Sequence, residues 1–170
     1  MATPHLPARV QRALDIGCDD GFLLGQLLPG PTVLQGIDPR LTAAPQAGLD
    51  LKKGFFPQDL DRLGFTGPYD VIFALAVFEH FDEASLQAAA EAVPGLLAPG
   101  GRIIITVPHP LVDRILDVLI FLRLLNGTAA EEHHGFDPGC LPGIFPGLKL
   151  VVHRHFQFGL NNIFVFERMP

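Results

Sequence analysis

Two stretches of this chain are apolar or β-branched throughout: Val71 to Leu75 and Ile103 to Val107. A strand with one wet face alternates apolar and polar residues. An unbroken run therefore predicts a strand covered on both faces, as in a parallel sheet flanked by helices. Ala13 to Ile16 and Val33 to Ile37 are shorter versions, and Leu49 to Lys53 is the weakest candidate. Helical stretches fall between them. Phe22 to Leu28 follows the first strand. Glu83 to Leu97 follows the fourth, with Asp82 as N-cap and Leu86, Ala90, Val93 and Leu97 on one face. Pro94 tightens its last turn, and Pro99-Gly100-Gly101 breaks the chain before the fifth strand.

This alternation predicts an α/β, doubly wound and mainly parallel sheet. The ending differs. Leu148 to Phe156 alternates, with Leu148, Leu150 and Val152 on one face, which is an edge-strand pattern. Leu160 to Phe166 is apolar on both faces. The two runs predict a terminal hairpin whose last strand lies beside the fifth, antiparallel to it.

A length of 170 residues is that of one domain, read here as residues 1–170 with an insertion at about 109–147. The formal net charge is −6 with no block of Lys or Arg, so the basic footprint of a nucleic-acid binder is absent. Cys18 and Cys140 make no disulfide framework, which fits a reducing cytoplasm. Met1 to Arg12 lacks the apolar core of a signal peptide. Leu111 to Leu125 is interrupted by Asp113, Arg114, Asp117 and Arg123 and is too short to span a bilayer. As a helix so apolar it must cover something: core, a partner copy in a homo-oligomer, or a hydrophobic ligand.

Ligands in open α/β sheets bind beyond the carboxyl ends of the strands. The first strand ends in Asp15-Ile16-Gly17-Cys18-Asp19-Asp20-Gly21 and runs into a helix. Gly17 and Gly21 permit a tight turn and close approach to a ligand, and the N–H groups at the helix start favour an anion. The second strand ends in Gly36-Ile37-Asp38, with Asp38 placed to accept from two ribose hydroxyls. The glycine spacing does not fit the three-glycine nicotinamide fingerprint, which disfavours a nicotinamide-dependent oxidoreductase.

The loop resembles the first motif of class I S-adenosylmethionine-dependent methyltransferases. Other segments extend the resemblance in order: Tyr69-Asp70-Val71-Ile72 with Val77-Phe78-Glu79-His80, then Leu97-Ala98-Pro99-Gly100-Gly101-Arg102, with Gly54-Phe55-Phe56-Pro57 at the third-strand position. The resemblance implies a seven-stranded sheet of order 3-2-1-4-5-7-6 and S-adenosyl-L-methionine as cofactor. It implies cofactor contacts from Asp15, Gly17, Cys18, Asp19 and Gly21, with Asp38 on the ribose. Ala74, Leu75 and Ala76 would line the sulfonium and its methyl.

Two departures stand out. Asp19 occupies a position that is usually glycine; Asp tolerates the unusual backbone angles, but its charge lies close to where a cofactor carboxylate would sit. Where many members have an acid that meets the adenine amine, this chain has Phe55 and Phe56, which can instead pack on the adenine face. A degenerate loop of this kind leaves a non-catalytic nucleoside-binding protein as the alternative to an enzyme.

His109 lies between Pro108 and Pro110, just past the fifth strand, where an imidazole can serve as general base for a hydroxyl or thiol. His133 and His134 lie in Glu131-Glu132-His133-His134-Gly135-Phe136-Asp137, where similar methyltransferases often face the acceptor; the bland reading is a turn with Asp137 as a helix cap. Glu79, His80, His133 and His134 invite a metal. The first acid of the Glu-x-x-Glu-His pattern used by some methyltransferases is Ala76 here, so no metal is expected. The sequence reading is methyl transfer to a small-molecule acceptor, with a hydrophobic one favoured by the apolar helix.

Overall fold

The computed structural model describes residues 5–27, 33–42, 46–109 and 137–170. The stretch 111–125, expected to be an apolar helix, lies outside them, as do Glu131, Glu132, His133 and His134. Seven strands form one sheet: β1 (Arg12–Ile16), β2 (Val33–Asp38), β3 (Leu49–Lys53), β4 (Tyr69–Leu75), β5 (Leu97–Pro108), β6 (Leu148–Phe156) and β7 (Asn161–Arg168). Their order is β3-β2-β1-β4-β5-β7-β6, as the family resemblance implies. The first five are parallel, and β7 runs antiparallel between β5 and β6.

Alternate residues of the central strands enter two separate cores, which explains their unbroken apolar runs. Leu14, Ile16, Ile72, Ala74, Ile103, Ile105 and Phe164 face one side. Ala89, Ala90 and Val93 of helix α3 (Glu83–Leu96) close that side. Ala13, Val71, Phe73, Ile104 and Val165 face the other, closed by Leu24 of helix α1 (Phe22–Leu27) and by Leu6 and Val10. A helical turn, α2 (Leu60–Leu63), follows β3. The N-cap of α3 is Asp82, whose Oδ1 accepts from the Ser85 N–H at 2.7 Å. Such a cap stabilises a helix by about 1 kcal/mol.

Two expectations are corrected. Pro99-Gly100-Gly101 does not end the chain's extended path before the fifth strand; it lies inside β5 as a bulge. Tyr69 pairs with Leu97 and Val71 with Arg102, so residues 98–101 are looped out opposite Asp70. Gly101 is obligatory there, because a Cβ would lie 2.8 Å from the carbonyl oxygens of Tyr69 and Ala98.

The second correction is in β6. Leu150 pairs with Phe166 and Val152 with Val165, leaving Val151 as an extra residue. A bulge of this kind reverses the facing of everything beyond it. Leu148 and Leu150 therefore pack on the α3 side, whereas Val152 packs on the α1 side. The same reversal lays the His153 ring on Phe164, centroids 4.1 Å apart. The bulge, with exposed Lys149 and Arg154, also blunts the open edge of the sheet against pairing with another chain.

The stretch from residue 137 packs on the core. Asp137 caps a 3₁₀ turn (Pro138–Gly143), its Oδ1 accepting from the Gly139 N–H at 2.8 Å. Leu141 and Phe145 beyond it are buried, with the Phe145 ring 5.0 Å from Phe166. Among the described residues no helix is long and apolar enough to cross a membrane.

Candidate functional site

The loop after β1 is held against the ends of β2 and β4. Gly17 has φ +74° and donates its N–H to the Ile37 carbonyl at 2.9 Å. A Cβ on Gly17 would lie 2.3 Å from Cγ2 of Val77, so no other residue fits without movement. Asp19 follows in the left-handed region, φ +46°, a conformation that Asp tolerates better than most residues. Its N–H donates to Oδ2 of Asp38 at 3.1 Å, while Oδ1 of Asp38 accepts from the Arg40 N–H at 2.6 Å. The Asp38 carboxylate thus fastens the loops after β1 and β2 to each other. At the end of β4, Ala76 also takes a positive φ, +55°, and its N–H donates to Thr106 on β5.

These strand ends surround a cleft of about 890 Å³, within the range of small-ligand pockets. Of the residues that the sequence assigns to the cofactor, Gly17, Asp19, Asp38, Phe55, Phe56 and Ala76 line it. The two phenylalanines differ. Phe56 is a buried core side chain, whereas Phe55 is 64% exposed at the cleft.

The others do not line the cleft. Ala74 is buried in the α3-side core and Leu75 packs toward the α1 side, as strand alternation requires. Gly21 closes the loop, donating to the Cys18 carbonyl at 2.7 Å, and faces Leu49 and Leu51. Cys18 turns into the sheet: a Cβ on Gly36 would lie 2.6 Å from its Sγ, so Gly36 exists to make room for the thiol. Burial, with Asp15 and Asp38 adding to it, pushes that thiol up to about 12. Asp15 sits beneath the loop and is 4% exposed. Burial first, then the Asp38 charge, pushes its carboxyl up to about 7. His109 lies beyond β5, its N–H donating to the Leu160 carbonyl at 2.8 Å and its ring 6.0 Å from that of His155. The Val151 bulge puts His153 and His155 on this face, their rings 5.2 Å apart, a grouping no sequence pattern signals.

The structure adds wall residues that the sequence reading did not assign to the site: Arg40, Gln58, Asp59, His80, Phe81, Asp82 and Ser85. Asp59 is the informative one. It accepts from the Phe55 N–H at 2.8 Å and pairs with Arg62 at 2.9 Å, so an acid does stand beside the third strand, displaced along the chain. The Arg62 hydrogen bond, then the Phe55 N–H, hold its carboxyl below the usual range. The i, i+3 spacing of Asp59 and Arg62 was the available signal. Among the described residues no three His, Cys, Asp or Glu side chains are grouped to hold a metal.

The methyltransferase-domain family matches residues 3–156. The chain belongs to that family. Its sheet is the class I methyltransferase sheet, and S-adenosylmethionine is its methyl-donating cofactor. The ribosomal RNA small subunit methyltransferase H of Maricaulis maris is 34% identical over 84 residues, 49% of this chain; the chain spans about a quarter of that relative's length, 25%. Two solved structures share the fold. An S-adenosylmethionine-dependent methyltransferase from Mesorhizobium loti superposes with a TM-score of 0.71 at 14% identity, over 97% of this chain and 94% of that one. The N-methyltransferase NodS from Bradyrhizobium japonicum superposes with a TM-score of 0.64 at 16% identity, over 95% and 87%.

The residues of this methyltransferase domain fit its cofactor. Asp38 keeps lone pairs beyond the two it uses, Phe55 offers an apolar ring, and Ala76 is small. The walls carry four carboxylates, Asp19, Asp38, Asp59 and Asp82, against one guanidinium, Arg40, which suits a cationic ligand.

Proposed function

We propose that this domain transfers a methyl group to a small acceptor, with a hydrophobic molecule favoured, and that the cleft at the ends of β1, β2, β3 and β4 holds the cofactor. The observation that carries the reading is the junction of Gly17, Asp19 and Asp38, a rigid floor with an acceptor-rich wall at the carboxyl edge of the sheet. Asp38 would accept from the ribose hydroxyls, Phe55 would cover the adenine, and the Gly17–Asp19 backbone would face the amino-acid end. Ala76 would border the sulfonium. When bound, S-adenosylmethionine supplies a methyl made electrophilic by its sulfonium charge, and the electron pair of the broken S–C bond stays on sulfur.

The protein's own contribution is positioning: holding acceptor and methyl in line removes much of the entropic barrier. For a hydroxyl or thiol acceptor a histidine base adds about 10²- to 10⁴-fold. His109, at the same edge of the sheet, is our candidate, with His133 and His134 in the residue 109–147 segment that we read as the acceptor side. The acidic net charge of −6 favours a small molecule over RNA as acceptor. We place the domain in the cytoplasm on its free cysteines.

Calorimetric titration with S-adenosylhomocysteine tests the site. Incubation with radiolabelled S-adenosylmethionine and panels of lipid, phenolic, thiol and RNA acceptors tests the reaction. Binding of the thioether with label on a small molecule is the expected result. Label on RNA alone would overturn the acceptor class, and failure to bind the thioether would overturn the site.

A further inference from the structure

The charge of the cleft has a consequence for which form of the cofactor it holds, given the cofactor site proposed above. Of its four carboxylates, three are committed. Asp59 is paired with Arg62 at 2.9 Å. Asp82 caps α3 through the Ser85 N–H. Asp38 accepts from the backbone N–H groups of Asp19 and Arg40. Asp19 differs from these. It is exposed, it stands on the loop that closes the cleft floor, and its backbone is fixed by the bond to Asp38. The Asp38 carboxylate that accepts the Asp19 N–H adds a second negative charge to this end of the cleft.

We propose that Asp19 makes the cleft select the charged sulfonium, S-adenosylmethionine, over the neutral thioether product, S-adenosylhomocysteine, so that spent cofactor yields its place to fresh cofactor. The two molecules differ by one methyl and one positive charge. Their adenine, ribose, amino and carboxylate groups are shared. Contacts to those shared groups cancel in the ratio of the two affinities, including the Asp38 bonds and any repulsion between Asp19 and the carboxylate. What remains is the field at sulfur. One unit charge acting across a partly wet cleft changes an affinity by about three- to tenfold. Salt weakens such an effect when the charges are open to solvent.

The test is a pair of calorimetric titrations of the full chain, with S-adenosylmethionine and with S-adenosylhomocysteine, at low salt and at high salt. The wild-type chain should bind the sulfonium about three- to tenfold more tightly at low salt, and the preference should shrink at high salt. Asp19→Asn and Asp19→Gly both remove the charge while tolerating the left-handed backbone, so both should bring the ratio close to one. Agreement between them separates charge from loop geometry. An unchanged ratio in both variants, or a wild-type preference for the thioether, would overturn the inference while leaving the cofactor site intact. Binding of neither molecule by the wild-type chain would overturn the site itself and the inference with it.

Discussion

The Asp38 carboxylate accepts the Asp19 backbone N–H at 3.1 Å, so the acid that ends the second strand also closes the loop that follows the first. That side chain shapes the floor of the cleft, and in the site proposed above it would also present acceptors to a ribose. Changes at this position should therefore affect both loop order and binding.

Asp38→Ala should weaken binding of S-adenosylhomocysteine by about 1–3 kcal/mol, the scale of losing a charged hydrogen-bond partner. Asp38→Asn keeps one acceptor oxygen and should lose less. Calorimetry measures both, and hydrogen exchange at Asp19 should accelerate in the alanine variant. Unchanged affinity in Asp38→Ala would place the ribose elsewhere.

Gly17→Ala should destabilise the fold by about 2–4 kcal/mol. One part is the left-handed backbone, φ +74°, and the other is the collision with Val77 at 2.3 Å. Adding Val77→Ala should recover the steric part but not the backbone part. Urea midpoints of the three variants separate the two, and full recovery in the double variant would show that backbone strain contributes nothing.

Asp15 should make stability depend on pH. Its carboxyl is raised from 3.8 to about 7, so the folded chain keeps a proton that the unfolded chain releases. The native state then binds more protons between these values, and stability falls with rising pH by up to about 1.4 kcal/mol per pH unit. The contribution is largest below the unfolded value and is lost once pH has passed the folded one. Asp15→Asn should flatten this slope, as read from urea midpoints at pH 5 and pH 8. An equal slope in wild type and variant would assign it to other groups.

The two thiols should react at different rates. Cys18 is buried against Gly36 and pushed up to about 12, whereas Cys140 is exposed. Reaction follows thiolate fraction and access. At pH 8 a disulfide reagent should modify Cys140 first and reach Cys18 only on unfolding, as mass spectrometry of the labelled peptides would show. Rapid labelling of Cys18 in the folded chain would place its thiol at the surface.

The central strands, the terminal antiparallel hairpin and the Asp82 cap were legible because each leaves a local mark, whereas the strand order came from the family resemblance. A strand covered on both faces reads as an apolar run such as Val71 to Leu75, and a cap is one polar residue before a helical pattern. The cleft was legible only in part. Gly17, Asp19 and Asp38 sit on contiguous motifs at two strand ends, so the sequence could name them.

What the sequence by itself determined, then, is the alternation that builds the sheet and the motifs that mark its carboxyl edge. Only the tertiary structure decided which side chains at that edge face the cleft. Ala74 and Cys18 belong to the same motifs yet turn into the core, one by strand alternation and the other by the space Gly36 leaves. Asp59 reaches the wall from a different loop through the Phe55 N–H. The extra residue Val151 moves His153 to the opposite face without altering the apolar and polar pattern of β6. For Cys18, Asp59 and His153 the physical reason is the same. Periodicity records which residues share a face within one element, whereas facing across elements is set by pairing register and by the room that neighbouring side chains leave.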